Sequence, residues 1–194
     1  MDKMRFAVPC LFGLEGLVAD EMTRLQLKNV RAENGRVHCE GTMADIARLN
    51  INLRCGARVL LVLGEFPARS FEELFQGTRA IPWEDYLPRD AAFPVKGFSL
   101  NSALHSIPAC QSIVKKAVAT RLGKVYHRET LPETGALYQI QFSIMKDVAT
   151  LMLDTCGNYV DESLRDRQQE VYDEMLGHQS DLIKLKEELQ TLEE

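Results

Sequence analysis

The stretch SLNSALHSIPACQSIVKKAVATRLGKVY, Ser99–Tyr126, runs from a polar loop through a proline into a long amphipathic segment. Proline is well placed in a first helical turn, and Pro108 therefore predicts a helix over about 107–125. Cys110, Val114, Val118, Leu122 and Val125 fall on one stripe of that helix, the stripe that should face a sheet. Lys116, Thr120 and Lys124 fall at i, i+4 and i+8 on another face, with Lys115 and Arg121 flanking the stripe. Asn101, Ser102, His105 and Ser106 lie at or before the helix start. Backbone N–H groups and the helix dipole favour an anion at that end, and added lysines suit phosphates. A solvated lysine face is the plain alternative. No nucleophile–base pair or metal cluster lies within the stretch.

Working outward, AFPVKGFSL reads as a strand leading into this helix, and GALYQIQFSIMKDVATLMLDTC reads as a hairpin around Lys146–Asp147. Upstream, Ser70 and Glu73 have capping-box spacing before an apolar face of Phe71, Leu74 and Phe75. IPWEDYLP reads as a short helical turn with Pro82 near its start. Residues 68–157 thus form a mixed α/β unit.

The first 67 residues repeat the logic in another order. RFAVPC is a short strand. Leu14, Leu17, Val18, Met22 and Leu25 form a helical face. NVRAENGRVHCEG alternates around Asn34–Gly35, a strong hairpin signal in which both turn residues should take φ > 0. Thr42 is the expected N-cap of a second helix, with Asp45 three residues on, and Met43, Ile46, Ala47, Leu49 and Leu53 supply its apolar positions. ARVLLVLGEF is a buried strand. The order β-α-β-β-α-β is the ferredoxin-like plan, so the fold class is α+β.

Residues 158–194 differ. They carry 4 Lys+Arg against 11 Asp+Glu, while residues 1–157 carry 19 against 17. The net charge of −5 therefore joins a faintly basic body to an acidic tail. Leu164, Gln168, Val171, Met175, His178, Leu182, Leu185, Leu189 and Leu192 are spaced alternately by four and three. This heptad seam predicts an amphipathic helix able to form a coiled coil. It needs a second copy, a partner helix or the body of its own chain to cover it.

Composition narrows the classes. Apolar content of 45% with 26% charged residues suits a folded globular chain, and no apolar run reaches membrane-span length. Glu15 and Gly16 break the N-terminal apolar region early, unlike a signal peptide. Five scattered cysteines with no Cys-x-x-Cys pair predict reduced thiols and a cytoplasmic protein without zinc. Cys110 falls on an apolar stripe and reads as a buried thiol rather than a nucleophile. His38 lies next to Cys39 in a strand and reads as a surface or partly buried histidine. Trp83 and Tyr86 could stack a base, but a core anchor is the preferred reading. Glu72 and Glu73 are cap and surface residues.

KGFSLNSALHSIPACQSIVKKAVATRL, together with FAVPCLFGLEGLVADEM and LMLDTCG, resembles the N-terminal half of the bacterial THUMP-containing rRNA guanine-N2 methyltransferase family. The similarity spans about residues 3–157. It implies a ferredoxin-like domain at 1–67, a THUMP RNA-binding domain at 68–157, and delivery of a base in structured RNA to a separate catalytic domain. In that family a segment like Leu153–Asp154–Thr155 leads into a serine-glycine, a basic passage and a domain that binds S-adenosylmethionine. Here Cys156 stands at the serine position, and after Gly157 the sequence turns to NYVDESLRDRQQEV. No Gly-rich loop after a strand and no Asn/Asp-Pro-Pro-aromatic motif occurs.

The expectation is an RNA-binding module without catalysis or cofactor of its own. Lys96, Asn101, Ser102, His105, Lys115, Lys116, Arg121 and Lys124 are its candidate contacts. Structured RNA is the expected partner, rRNA ahead of tRNA, with no DNA and no membrane. The alternatives are a dimerisation or partner-binding module acting through residues 164–192, or a truncated fragment of an RNA methyltransferase.

Overall fold

Every predicted element of the first 67 residues forms. β1 (Met4–Pro9), α1 (Glu15–Arg24), β2 (Lys28–Glu33), β3 (Arg36–Gly41), α2 (Met43–Asn52) and β4 (Leu60–Pro67) follow in that order. They come from a computed structural model that describes residues 3–128 and 130–156. The heptad segment at 158–194 lies outside the described residues.

Local chemistry explains the boundaries. On α1, Leu14, Val18 and Met22 are buried at i, i+4 and i+8, whereas Leu17 stays 41% exposed. The buried face is therefore one row narrower than the apolar pattern suggested. On α2 the Asp45 carboxylate accepts from the Thr42 backbone N–H (2.7 Å) and hydroxyl (2.8 Å), as the cap spacing implied. Leu49 is buried, but Met43 faces outward. The β2–β3 turn corrects a second expectation. Only Gly35 takes positive φ (74°), and Asn34 does not. The Gly35 N–H donates to Glu15 Oε1 at 2.9 Å, which ties the turn to the start of α1.

The remaining elements are α3 (Phe71–Ala80), a 3₁₀ turn (Trp83–Asp85), β5 (Val95–Leu100), α4 (Ile107–Tyr126), β6 (Ile140–Met145) and β7 (Val148–Asp154). The strands form one sheet in the order β2-β3-β1-β4-β7-β6-β5. The pairs β1–β4, β2–β3, β4–β7 and β6–β7 are antiparallel. β5 and β6 are parallel because α4 crosses over between them, the connection that parallel neighbours require. Among the described residues, contacts divide the chain into two compact units, with Val8–Val59 in one and residues 3–7 together with 60–156 in the other.

In the unit that begins at Leu60, Leu74, Trp83, Phe93, Leu122, Ile140 and Phe142 are almost fully buried. Trp83 Nε1 donates to Thr78 O at 2.8 Å, so the indole satisfies its polar edge inside the core. Ser70 Oγ accepts from Glu73 N at 3.2 Å and starts α3 as expected. The Glu73 carboxylate accepts from the Arg69 N–H (2.7 Å) rather than from the cap residue itself.

The β6–β7 turn carries the left-handed geometry expected of Asn34–Gly35. Lys146 (φ 50°) and Asp147 (φ 62°) both lie there, without a glycine. Asp147 is held by what surrounds it. Its Oδ1 accepts from Ala103 N (2.8 Å), its carbonyl from Ala68 N (2.8 Å), and its N–H donates to Ser102 Oγ (3.1 Å). Aspartate tolerates the left-handed region better than most residues, and these bonds offset the remaining cost.

Candidate nucleic-acid interface

α4 organises the site. Its buried residues are Cys110, Val114, Ala117, Val118 and Leu122, the predicted stripe with Ala117 added. Val125 stays 39% exposed, because the chain leaves the helix through His127 in the left-handed conformation. Pro108 sits in the first turn, no side chain caps the start, and no acidic residue lies in the first turn. No carboxylate of its own first turn therefore offsets the helix dipole at this end.

The loop before α4 divides into two roles. Asn101 is exposed with φ of 52°, and His105 is exposed with Nδ1 3.1 Å from Ala103 O. A carbonyl accepts, so that contact calls for a proton on Nδ1. Ser102 is used internally. Its hydroxyl donates to Leu100 O (3.0 Å) and accepts from the Asp147 N–H (3.1 Å), so it positions the loop.

The helix cations also separate. Lys115 Nζ lies 3.0 Å from Glu133 Oε2 and 5.3 Å from the centre of the Phe93 ring, so its charge is partly matched. Arg121 is fully engaged. Its Nη2 and Nε donate to the two Glu84 carboxylate oxygens at 2.5 and 3.0 Å, and Nη1 reaches Arg79 O and Ala80 O at 3.3 and 3.4 Å. The guanidinium thus covers the last carbonyls of α3 and clamps α4 to the 3₁₀ turn. This pairing sets Arg121 apart from the lysines of the same helix. No local stretch of sequence shows it, because Glu84 lies 37 residues away.

Lys116 and Lys124 remain. Both are exposed on the outward face of α4, and neither has an ion-pair partner among the described residues. Thr120 between them donates its hydroxyl to Lys116 O at 2.7 Å and turns inward on the helix itself. Lys96 is exposed but does not join them. In β5, Val95, Gly97 and Ser99 face the α4 layer, while Lys96, Phe98 and Leu100 alternate onto the other face.

The Arg121–Glu84 pair has a pH signature. The hydrogen bonds from Arg121 hold the Glu84 carboxyl below its ordinary value against an opposing effect of burial. A lowered folded-state pKa adds stability that is present above the ordinary carboxylate range and is lost as pH falls through the folded value. Arg121→Ala is expected to cost about 2 kcal/mol near neutral pH, the scale of a charged hydrogen-bonded pair that is three-quarters buried. Urea unfolding of wild type and variant should show the difference shrinking toward acid pH. A constant difference down to pH 3 would deny the pair that role.

Other chemistry is limited. Burial pushes the Cys110 thiol above its ordinary pKa, and Cys39 is raised to about 12. Such thiols are poor nucleophiles. Trp83 is fully buried and stacks no ligand. Among the described residues, no cluster of three or more His, Cys, Asp or Glu could hold a metal ion, and no helix is long and apolar enough to cross a membrane.

The sequence that builds this βαββαβ segment and the α4 crossover matches two family models. The RlmL ferredoxin-like domain matches residues 5–60, and the THUMP domain matches residues 68–154. The chain thus carries an RlmL ferredoxin-like domain followed by a THUMP domain. It is similar to YpsC of Bacillus subtilis (strain 168), a protein named as a candidate RNA methyltransferase, with 38% identity over 161 residues. That match covers 81% of this chain and 41% of YpsC. It is also similar to the ribosomal RNA large subunit methyltransferase K/L of Aeromonas salmonicida (strain A449), at 29% identity, covering 78% of this chain and 21% of that enzyme. A solved structure from Listeria monocytogenes, titled as an N6-adenine-specific DNA methylase by prediction, superposes with a TM-score of 0.75 and 47% identity. It covers 79% of this chain and 40% of that one. The THUMP chain thus spans about two-fifths or less of these relatives.

Proposed function

We propose that this chain is an RNA-binding module that corresponds to the substrate-recognition part of an rRNA methyltransferase. The observation that carries the reading is the outward face of α4. Lys116 and Lys124 stand two turns apart, exposed and without carboxylate partners among the described residues, on a helix whose first turn holds no acidic residue. Asn101 and His105 lie exposed in the loop entering that end. A phosphate backbone meets two ammonium groups on one face and an uncompensated helix dipole at one end. Such contacts register RNA shape more than sequence. The relatives named as RNA methyltransferases support rRNA as the target class.

The test is anisotropy with fluorescent rRNA stem-loops, a tRNA and a DNA duplex at two salt concentrations. The full chain should bind RNA with strong salt dependence and prefer it to DNA. The double change Lys116→Glu with Lys124→Glu should weaken binding by about tenfold or more and lower the salt slope by about one to two phosphate contacts. An unaltered slope would remove these lysines from the interface. Tighter binding to DNA would favour the class named for the Listeria structure. A second reading, a dimerisation or partner-recruiting module, rests on the heptad spacing at 164–192. Light scattering decides it by the mass of the full chain in solution.

A further inference from the structure

A surface helix ordinarily turns charged or polar residues to solvent. α2 does the reverse along one row. Met43, Ala47 and Ile51 follow at i, i+4 and i+8, with Ala44 beside them, and all four are exposed. Met43 is 64% exposed, and Ile51 at 79% is the most exposed large apolar side chain among the described residues. Leu49 fills the core from the opposite side of the same helix, so the row is not a fringe of that core.

The rim of the row is positive. Over residues 42–59 the chain carries Arg48, Arg54 and Arg58 against a single carboxylate, Asp45. Asp45 is buried, and its oxygens accept from the Thr42 N–H and hydroxyl and from Arg48 Nη1. The Arg48 side chain stays half-exposed at the helix surface, and Arg54 is exposed just past the helix end. The occupant that fits is apolar along one row and acidic beside it. The chain contains such a segment. Leu182, Leu185, Leu189 and Leu192 continue the heptad spacing, and residues 181–194 carry five carboxylate side chains against two lysines.

Length and reach agree. α2 has ten residues and is about 15 Å long, the length that the leucine row of 182–192 would cover as a helix. Asp154 is the register partner of Leu60, and residues 53–59 join Leu60 to α2. Residues 157–181 form a far longer tether from the same place, so the leucine row can reach α2. We propose that the leucine row of residues 182–192 docks on Met43, Ala47 and Ile51 of α2 in the same chain, with Arg48 and Arg54 facing its carboxylates. Ala44 and Ala47 suit the contact, because small side chains let two helices approach closely. Both apolar rows leave water, and the flanking charges are opposite. RNA binding is no part of this contact, which gives the heptad segment a seat on its own chain rather than on a second copy.

The test uses the full chain with Ile51 replaced by the photoreactive, apolar p-benzoylphenylalanine, mixed with isotopically heavy chain, irradiated and mapped by mass spectrometry. Crosslinks from position 51 should fall on residues 182–192 of the same chain. Leu185→Asp with Leu189→Asp should lower their yield by about tenfold or more, because carboxylates in an apolar contact are strongly disfavoured. Leu185→Met with Leu189→Met keeps the volume and should keep the crosslinks. The same probe in place of Lys116 on α4 should capture little of the segment. Thermal unfolding of each variant checks that the fold is kept. Capture between light and heavy chains overturns the proposal and returns the seam to a dimer. Capture from 116 equal to that from 51, no capture from 51, or a yield unmoved by the two aspartates overturns it as well.

Discussion

Trp83→Ala is expected to lower the free energy of unfolding by about 4 kcal/mol, the usual scale for emptying a fully buried tryptophan site. The side chain has no exposed surface and sits in the 3₁₀ turn between α3 and the strand region. Two losses combine. The indole volume becomes a cavity beneath α3, and Thr78 O loses its donor at 2.8 Å. Trp83→Phe separates them, since it keeps most of the volume and removes only the N–H. It should cost about half as much. The effect should spread to the candidate interface because Glu84, the residue that follows, holds Arg121 on α4. Urea unfolding followed by circular dichroism is the appropriate measurement, because Trp83 is the chain's single tryptophan and its fluorescence vanishes with it. A loss below about 1 kcal/mol would show that the turn is not part of the cooperative core.

The fold was legible where one local signal decided it. The βαββαβ order followed from periodicity, the start of α2 from Thr42 and Asp45, and the extent of α4 from Pro108 and the stripe that runs from Cys110 to Val125, although Val125 itself stays 39% exposed. The misreadings came from properties that no local window contains. Leu17 and Met43 fit an apolar helical pattern, yet each faces outward, because the neighbouring elements cover only one narrow row of each helix. Asn34–Gly35 looked like the turn needing two left-handed residues, but that geometry fell to Lys146–Asp147, where bonds to residues 68, 102 and 103 hold it. In the candidate site, the exposure of Lys116 and Lys124 was readable from helical spacing. The commitment of Arg121 to Glu84 was not, since a clamp and a phosphate ligand are the same residue type until the partner is located. The orientation of β5 escaped local reading for a related reason. The alternation of VKGFSL marks two faces but does not tell which one a helix will cover.

Gly97→Ala tests that sheet edge directly, and its expected cost is about 3 kcal/mol. A Cβ at position 97 would lie 2.3 Å from Phe142 O and 2.5 Å from the Phe142 ring. Gly97 and Phe142 are register partners in the parallel pair, so the obstacle is strand backbone together with a core ring that is 1% exposed. Neither can yield without β5 moving away from β6. Two other glycines serve as controls. At Gly64 the added carbon would meet the end of the Ile81 side chain at 2.9 Å, a contact that a rotamer change relieves, so Gly64→Ala should cost less. At Gly16, in α1, nothing lies within 4 Å, and alanine should be neutral or stabilising by up to about 1 kcal/mol. The order of unfolding midpoints should therefore be Gly97→Ala, then Gly64→Ala, then wild type at or below Gly16→Ala. A Gly97→Ala midpoint equal to wild type would mean that β5 tolerates a side chain against Phe142. The close strand approach that fixes the β5–β6 face would then be wrong.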